Sequence, residues 1–340
     1  MIERPDLSNE AITATLDVNW GIRVSDITFL PVGNETGTWV FRAGDYFLKM
    51  KRAQPPPAVV DVPRMLNDLG IRQVVAPVPM LSGAMFAPAA DFWLILYPFI
   101  EGQSGMDAGL TDAQWVELGA TLRQIHEARL PEEVQEQVAQ ETFVPKWAGM
   151  VRRLDALIAK GGFSDASQCA LAEFWKQRRA EILGITARCE ELGHMAAARS
   201  APTMLCHADI HTANVLVDRA GGLHIVDWDQ PIYAPVERDL IFLIEQIGMG
   251  LGAQPVEESL FLQGYGPVVI DRVTMAYYCY EWAVQEFGDY GERVFLLPDA
   301  GEATRAASVE AFMQLFNSGD VVESACDWEK ALNATPNGTA

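Results

Sequence analysis

Short apolar runs bounded by turn-forming residues fill much of the first hundred positions, and such runs are typical of strands. Five segments have this character: Ile27–Val32, Thr38–Ala43, Tyr46–Met50, Val74–Val78 and Phe92–Phe99. Two other segments have apolar positions at helical spacing: Ser8–Trp20, with Ser8 as its N-cap, and Val59–Leu69, after three prolines. This part of the chain predicts a small antiparallel sheet with one main helix packed on it.

The pattern changes after Gly102, where long segments with one apolar helical face replace the short runs. Five such segments predict helices: Thr111–His126, Trp147–Ala159, Cys169–Leu192, Leu240–Met249 and Val273–Phe287. We therefore predict an α+β fold with two lobes. The first lobe covers residues 1–102 and contains the sheet, and the second covers residues 103–340 and is larger and mostly helical.

A hairpin interrupts the helical part and carries polar residues at its open end. Two short apolar runs, Val215–Val217 and Leu223–Val226, flank the strong turn sequence Asp-Arg-Ala-Gly-Gly. A four-residue loop there would place Asn214 opposite Asp227. Asp209 lies on the segment that leads into the first strand. The pattern predicts that these three polar side chains lie close together.

Two carboxylates and an amide oxygen form a donor set that suits Mg²⁺, which keeps part of its shell for water and phosphates. The order His-x-Asp-x-x-x-x-Asn, followed by an Asp, also matches the template for phosphoryl transfer. In that template Asp209 accepts the proton of the acceptor hydroxyl, and Asn214 and Asp227 bind metal. The alternative is a surface hairpin with ordinary turn aspartates, and the combined spacing disfavours it.

The segment from His207 to Asp229 resembles the catalytic loop of the aminoglycoside phosphotransferase and choline kinase family, which has Asp-Trp-Asp or a similar sequence at 227–229. The resemblance extends from about residue 20 to residue 290. It implies a protein-kinase-like, bilobal fold that binds ATP and Mg²⁺ between its lobes.

The same resemblance implies where the nucleotide binds. Lys49 resembles the lysine that pairs with the α- and β-phosphates. The loop at 31–38 is placed to cover the phosphates, and the segment at 94–101 resembles the hinge that hydrogen-bonds adenine. The residues implied in these two segments are Gly33, Asn34, Thr36, Tyr97, Phe99 and Ile100. An exposed strand lysine and a plain buried strand are the alternatives.

One position departs from the pattern of protein kinases. Their strand lysine pairs with a glutamate on the following helix, but no glutamate occurs between Lys49 and Gly70. Asp61 is the only acid of that helix that could take the role. The ion pair therefore uses Asp61, an acid from elsewhere in the chain, or none.

Several short motifs resemble the spectinomycin-phosphorylating branch, including Pro-Lys-Trp at 145–147 and Pro-Val-Glu-Arg-Asp-Leu at 235–240. The resemblance implies an aminocyclitol acceptor whose amines are cationic. Asp229, Glu281, Trp282 and Tyr278 are candidates to bind it by charge and cation–π contact. Core packing is the alternative for Trp282 and Tyr278. The alternative functions are a kinase for homoserine, choline, a thio-sugar or a macrolide, and a non-catalytic nucleotide-binding regulator.

Composition narrows the class of partner. The 340 residues have a net charge of −21, which disfavours binding to nucleic acid or anionic lipid and favours small cations. Five scattered cysteines form neither a disulfide framework nor a zinc site. The N-terminal residues lack a signal-peptide pattern, and no apolar stretch is long enough to cross a bilayer. We expect a cytoplasmic monomer.

Overall fold

The computed structural model describes residues 4–31, 37–244, 253–297 and 300–333. They form two compact units, each assembled from several segments. The first unit comprises Met1–Ala139, Leu205–Tyr233 and Leu260–Gly266, and the second comprises Gln140–Met204, Ala234–Ser259 and Pro267–Ala340. The predicted lobes follow chain order instead, and their boundary after residue 102 stays a prediction.

Strands are concentrated in the first unit and long helices in the second. The strands are β1 Ile27–Leu30, β2 Thr38–Ala43, β3 Tyr46–Lys51, β4 Phe86–Ala89, β5 Phe92–Pro98, β6 Gly102–Ser104, β7 Ala139–Gln140, β8 Met204–Cys206, β9 Val215–Asp218, β10 Leu223–Ile225 and β11 Ile232–Ala234. The helices are α1 Asn9–Trp20, α2 Ala58–Asp68, α3 Gly105–Ala108, α4 Asp112–Glu127, α5 Glu132–Gln135, α6 Ala148–Lys160, α7 Ala166–Ala197, α8 Glu237–Leu240, α9 Pro255–Tyr265, α10 Arg272–Phe295, α11 Glu302–Gln314 and α12 Val321–Asn333.

Five antiparallel strands form the main sheet of the first unit, in the order β1-β2-β3-β5-β4. Helix α1 packs on this sheet through Ile12, Leu16 and Trp20, as their helical spacing predicts. Ser8 caps the helix by accepting a hydrogen bond from the Ala11 N–H, so that prediction is confirmed. The sheet gives the site a rigid wall.

One predicted strand of this unit is absent. Residues 74–78 form no strand: Val74 makes a single bridge to Ile225 of β10, and the Val78 N–H donates to the Leu96 carbonyl of β5 at 2.7 Å. The Val75 N–H donates to the Ile225 carbonyl at 3.0 Å, and the Ile225 N–H donates to the Gln73 carbonyl at 2.6 Å. The partner of Val74 and Val75 lies about 150 residues later in the chain, so local pattern does not reveal it.

A second sheet, β10-β9-β6, contains the predicted hairpin, and its register differs from the prediction by one residue. Leu223 lies opposite Val217, and the Asp218 N–H donates to the Gly222 carbonyl at 3.0 Å, so Asp218 lies opposite Gly222 and the loop has only the three residues 219–221. Asn214 therefore lies opposite Val226, whose N–H donates to the Asn214 carbonyl at 3.0 Å. The prediction that Asn214 lies opposite Asp227 is wrong, because the hairpin closes one residue earlier.

The side chain of Asp218 is the reason for the short loop. Its Oδ1 accepts hydrogen bonds from the N–H groups of Ala220 and Gly222, at 2.8 and 2.9 Å. Gly221 has a φ of 89°, a value that other residues adopt rarely. His224 bonds to Oδ2 of the same carboxylate at 2.8 Å. These contacts close the turn tightly and fix the register of both strands.

The second unit is built around the long helices α7 and α10, with α6, α11 and α12 packed against them. The predicted helix Val273–Phe287 is part of α10, and its aromatic residues are mostly buried. The predicted helix Leu240–Met249 extends beyond the described residues, and α9, α11 and α12 were not predicted. Across the described ranges, no helix has both the length and the apolar character needed to cross a membrane.

Candidate active site

The loop after β8 places Asp209 through a buried histidine. The Asp209 N–H donates to Nδ1 of His207 at 3.3 Å, and Nε2 of that ring lies 2.9 Å from the Val226 carbonyl. Because Nδ1 accepts, Nε2 carries the proton and donates to the carbonyl. Ala208 adopts a φ of 74°, which turns the chain sharply between the two residues. The side chain of Asp209 is 54% exposed, whereas the histidine that holds its backbone is buried.

Asn214 lies beside this carboxylate at the end of a single 3-10 turn, Thr212–Asn214. Its Nδ2 donates to the Asp209 carbonyl at 2.8 Å and to Asp209 Oδ2 at 3.1 Å. The amide therefore orients Asp209 with its nitrogen and keeps its oxygen for another partner. The sequence prediction that these two residues lie together is met in the structure.

Asp227 follows β10 with a φ of 67°, in the left-handed region that non-glycine residues seldom occupy. The turn lets its carboxylate reach Lys49 of β3, whose Nζ lies 2.6 Å from Asp227 Oδ1. The next residue, Trp228, packs edge-on against His207 with ring centroids 4.5 Å apart. The packed indole holds the strained backbone in place.

Lys49 lies between two carboxylates, and this resolves the question of its partner. Its Nζ bonds to Asp229 Oδ2 at 2.6 Å as well as to Asp227. Within the described residues of α2, no side chain pairs with Lys49, so Asp61 does not take that role. Burial lowers the pKa of Lys49, but the charges of Asp227 and Asp229 outweigh it and hold the pKa above its ordinary value. The ammonium therefore stays charged.

A cavity of about 510 Å³ in the first unit opens beside these residues, within the size range of ligand pockets. Six residues predicted to bind nucleotide or metal line it: Lys49, Tyr97, Phe99, Ile100, Asn214 and Asp227. The rest of the lining is mainly apolar: Leu30, Thr38, Val40, Phe47, Val75, Pro98, Gly102, Leu216, Val226 and Trp228. A mainly apolar cavity with charged groups on part of its wall suits a nucleotide, which joins a flat base to charged phosphates.

The hinge segment lines this cavity with Tyr97, Pro98, Phe99 and Ile100. The Phe99 N–H is already engaged, donating to the Asp45 carbonyl at 2.9 Å. No described residue accepts a hydrogen bond from the Ile100 N–H, so this donor can serve a ligand. Gly102 pairs with Asp218, and a Cβ at Gly102 would lie 2.0 Å from the Val217 carbonyl oxygen. A glycine is therefore required where the hinge approaches the hairpin.

The remaining predicted site residues fall into two groups. Gly33, Asn34 and Thr36 lie outside the described residues. Asp229, predicted to bind the acceptor, is engaged with lysines in the first unit. The other three candidates for the acceptor lie on α10 in the second unit.

On α10 the aromatic candidates are buried. Tyr278 is 0% exposed and donates from its hydroxyl to Glu141 at 3.0 Å. Trp282 is 7% exposed and packs edge-on against Phe242. Glu281 pairs with Arg238 at 3.2 Å. These surroundings agree with the packing alternative for Tyr278 and Trp282.

The site fits a divalent cation and a nucleotide. Asp227 is 44% exposed, and Lys49 contacts only one of its two carboxylate oxygens, so the other can bind a cation. Asn214 contacts Asp209 through its amide nitrogen, so its amide oxygen can bind the cation as well. Hard oxygen donors of this kind suit Mg²⁺, with Asn214 and Asp227 as the residues that would hold it. Lys49 offers a charged donor to phosphates from the same wall.

Two contributors were missed by sequence analysis. Lys51 lies 2.9 Å from Asp229 Oδ2, two residues beyond Lys49 on the same strand. Glu101, in the hinge, pairs with both Arg42 of the main sheet and Arg219 of the hairpin loop. Period-two spacing places Lys49 and Lys51 on one face of β3, and that signal was available. The partners of Glu101 are distant in sequence and had no local signal.

Residues 26–299 match the model of the phosphotransferase enzyme family. The chain therefore belongs to this family and is a phosphotransferase with the kinase-like α+β fold, as predicted. This finding favours the enzyme over the non-catalytic regulator.

Solved structures and a curated relative agree with the family. The chain is similar to spectinomycin phosphotransferase APH(9)-Ia in complex with ADP and spectinomycin, with 31% identity, a TM-score of 0.83 and coverage of 96% of this chain and 100% of that one. It is also similar to protein StrN of Streptomyces griseus, with 25% identity over 82% of each chain. An amicoumacin kinase, at 17% identity with a TM-score of 0.56 and coverage of 93% and 94%, shares the fold.

Proposed function

We propose that this enzyme transfers the γ-phosphate of ATP, with Mg²⁺, to a hydroxyl group of spectinomycin. The observation that carries the proposal is the similarity to spectinomycin phosphotransferase APH(9)-Ia over nearly the whole of both chains. The identity and the TM-score are both well above those for the amicoumacin kinase, a kinase of the same fold. Resistance to spectinomycin would follow from this activity.

The chain's own residues support the chemistry in defined roles. Asp209 is the base that orients the acceptor hydroxyl and takes its proton, because its carboxylate is exposed and supported from behind. Asn214 holds that carboxylate and offers its amide oxygen to the cation. Asp227 offers the second ligand. Bound Mg²⁺ would neutralise charge on the phosphates.

Nucleotide binding is expected in the cavity of the first unit. The apolar walls accept adenine, and the Ile100 N–H supplies a donor to its edge. Lys49 meets the phosphates. Burial raises the pKa of the Tyr97 hydroxyl, so this side chain remains a neutral part of the wall beside Lys49.

The acceptor is expected to be cationic, because the net charge is −21 and acids recur on the helical unit. Glu281 remains a candidate, although its pairing with Arg238 means that it must share its charge. Tyr278 and Trp282 are expected to act through packing, since both are buried. A cation–π contact from these two rings to the acceptor would require the groups that bury them to move.

The test is ADP release with Mg·ATP and a panel of acceptors: spectinomycin, kanamycin, hygromycin, choline, homoserine, a macrolide and a thio-sugar. The proposal predicts turnover with spectinomycin alone and its loss in Asp209→Asn. Turnover with a different acceptor would keep the kinase and reject spectinomycin. The macrolide and the thio-sugar belong in the panel because kinases for both were alternatives that the sequence left open.

A further inference from the structure

Two strand lysines and two aspartates form a connected group of charges beside the cavity. Asp229 Oδ2 accepts hydrogen bonds from Lys49 Nζ at 2.6 Å and from Lys51 Nζ at 2.9 Å. Asp227 Oδ1 accepts a third, from Lys49 at 2.6 Å. The order is therefore Lys51, Asp229, Lys49, Asp227, with charges that alternate in sign.

The inner members of this group are shielded from water. The side chains of Lys49, Lys51 and Asp229 are 10%, 13% and 15% exposed, whereas that of Asp227 is 44% exposed. A shielded charge is costly unless it is paired, so each of the three depends on its neighbour. The exposed end of the group is the carboxylate that the chemistry requires for metal.

The two partners of Lys49 therefore differ in what they are able to do. Asp227 is expected to bind the cation that joins the phosphates, and an oxygen shared with a lysine ammonium is a poorer metal ligand. Asp229 is shielded from water, and Lys51 holds it with a second hydrogen bond besides the one from Lys49. Among the residues that the structure describes, Lys49 has no contact with an acid on the helix after its strand, which is the residue that usually holds such a lysine.

We propose that Asp229 is a positioning residue for Lys49, replacing the helix acid of protein kinases, and that Lys51 holds Asp229 in place. The role predicted from sequence, a contact to the acceptor, is replaced by this one. The proposal rests on the proposed kinase function of the site but not on the identity of the acceptor.

The local backbone explains how one short segment supplies both partners. Asp227 and Asp229 are separated only by Trp228, which is 3% exposed and packed against His207. The left-handed φ of 67° at Asp227 turns its carboxylate to the same ammonium that Asp229 reaches. When Asp227 turns to metal and phosphate, Asp229 keeps Lys49 at the edge of the cavity.

The test measures binding of ADP in the presence of Mg²⁺ by calorimetry, without any acceptor. Asp229→Asn keeps the shape of the side chain and removes its charge, so ADP binding should weaken about tenfold, the effect of one charged hydrogen bond. Asp229→Glu should recover most of that loss. In a Lys49→Met background, Asp229→Asn should cause no further loss, because Asp229 acts only through Lys49.

Two outcomes would overturn the proposal. Unchanged ADP binding in Asp229→Asn, with a raised KM for the acceptor only, would return Asp229 to the acceptor. A further loss in the Lys49→Met background would make Asp229 a direct ligand of metal or nucleotide.

Two controls test whether a loss of ADP binding comes from misfolding: a charge-balanced variant, and thermal melting of every variant. Lys51→Gln combined with Asp229→Asn removes one charge of each sign, so it avoids an unpaired buried lysine. It should show the same loss of ADP binding as Asp229→Asn. Because ADP binding needs no acceptor, failure of the spectinomycin assignment would appear only in the acceptor panel and would leave this result intact.

Discussion

Two groups of polar side chains were predicted to carry the chemistry, and they differ most in what surrounds them. In the first unit, Asp209 on the loop after β8 and Asp227 after the hairpin are 54% and 44% exposed, and buried neighbours hold their backbone. On α10 of the second unit, Glu281 is 12% exposed and is paired with Arg238, and Tyr278 is 0% exposed.

The difference shows which residues are available for chemistry. A carboxylate that reaches solvent from a rigid support can meet a cation or a hydroxyl while its backbone stays in place. A carboxylate or phenol enclosed by a helical core stabilises the fold, and a ligand would have to compete with its existing contacts. Substitutions in the two regions should therefore separate activity from stability.

The largest expected effect is that of Asp227→Asn. Loss of the carboxylate removes a metal ligand, so phosphate transfer should fall at least about 10³-fold while the protein stays folded. Steady-state ADP release measures the rate, and thermal melting checks the fold. Asp218→Asn, at the other end of the same hairpin, is the matched control and should keep most of the activity. Equal losses of activity in both variants would mean that the substitutions had damaged the hairpin, and not specifically the metal ligand Asp227.

The opposite outcome is expected for Tyr278→Phe on α10. The change removes a donor to Glu141 in a buried place, so the protein should lose about 1 kcal/mol of stability. The KM for the acceptor and kcat should each change less than about threefold, because the change removes no hydrogen bond to the substrate. Denaturant unfolding and initial rates measure the two quantities. A large rise in KM with unchanged stability would restore Tyr278 as a substrate ligand.

The smallest expected effect is on the stability of the protein at low pH. A hydrogen bond from His224, followed by the Gly222 N–H, lowers the pKa of Asp218 to about 2. A lowered folded-state pKa gives stability that is present above the ordinary value and is lost as the pH falls towards about 2. Asp218→Asn should lower Tm by only about 1–2 °C at neutral pH, because the carboxylate is partly exposed and solvent screens its charge. The difference from the native protein should shrink below pH 4. A constant difference at all pH values would reject this role.

Sequence pattern predicted the hairpin, its polar end and four strands of the main sheet, β1, β2, β3 and β5, because these depend on short runs and turn residues close together in the chain. It missed β4. It did not predict the register, since the Gly-Gly turn fits more than one loop length and only the Asp218 contacts close it early. The left-handed φ of Asp227 compensates for the shift, and no local signal marks it.

Contacts between distant residues explain the other differences. The partner of Lys49 was sought on the next helix, but Asp229 lies 180 positions away from it. The run at 74–78 was predicted as a strand, whereas its backbone bonds to Ile225. Both depend on how the chain returns to the sheet, which alternation and spacing within one segment do not encode.

The most direct test of the account is a paired measurement on Asp209→Asn, with spectinomycin and Mg·ATP. Asp209 is held by backbone and amide contacts that asparagine can keep, so ADP binding should be unchanged while kcat falls about 10²- to 10⁴-fold. This result would identify Asp209 as the base of a phosphotransferase. Native turnover in the variant would contradict the assignment of the hairpin as the catalytic centre.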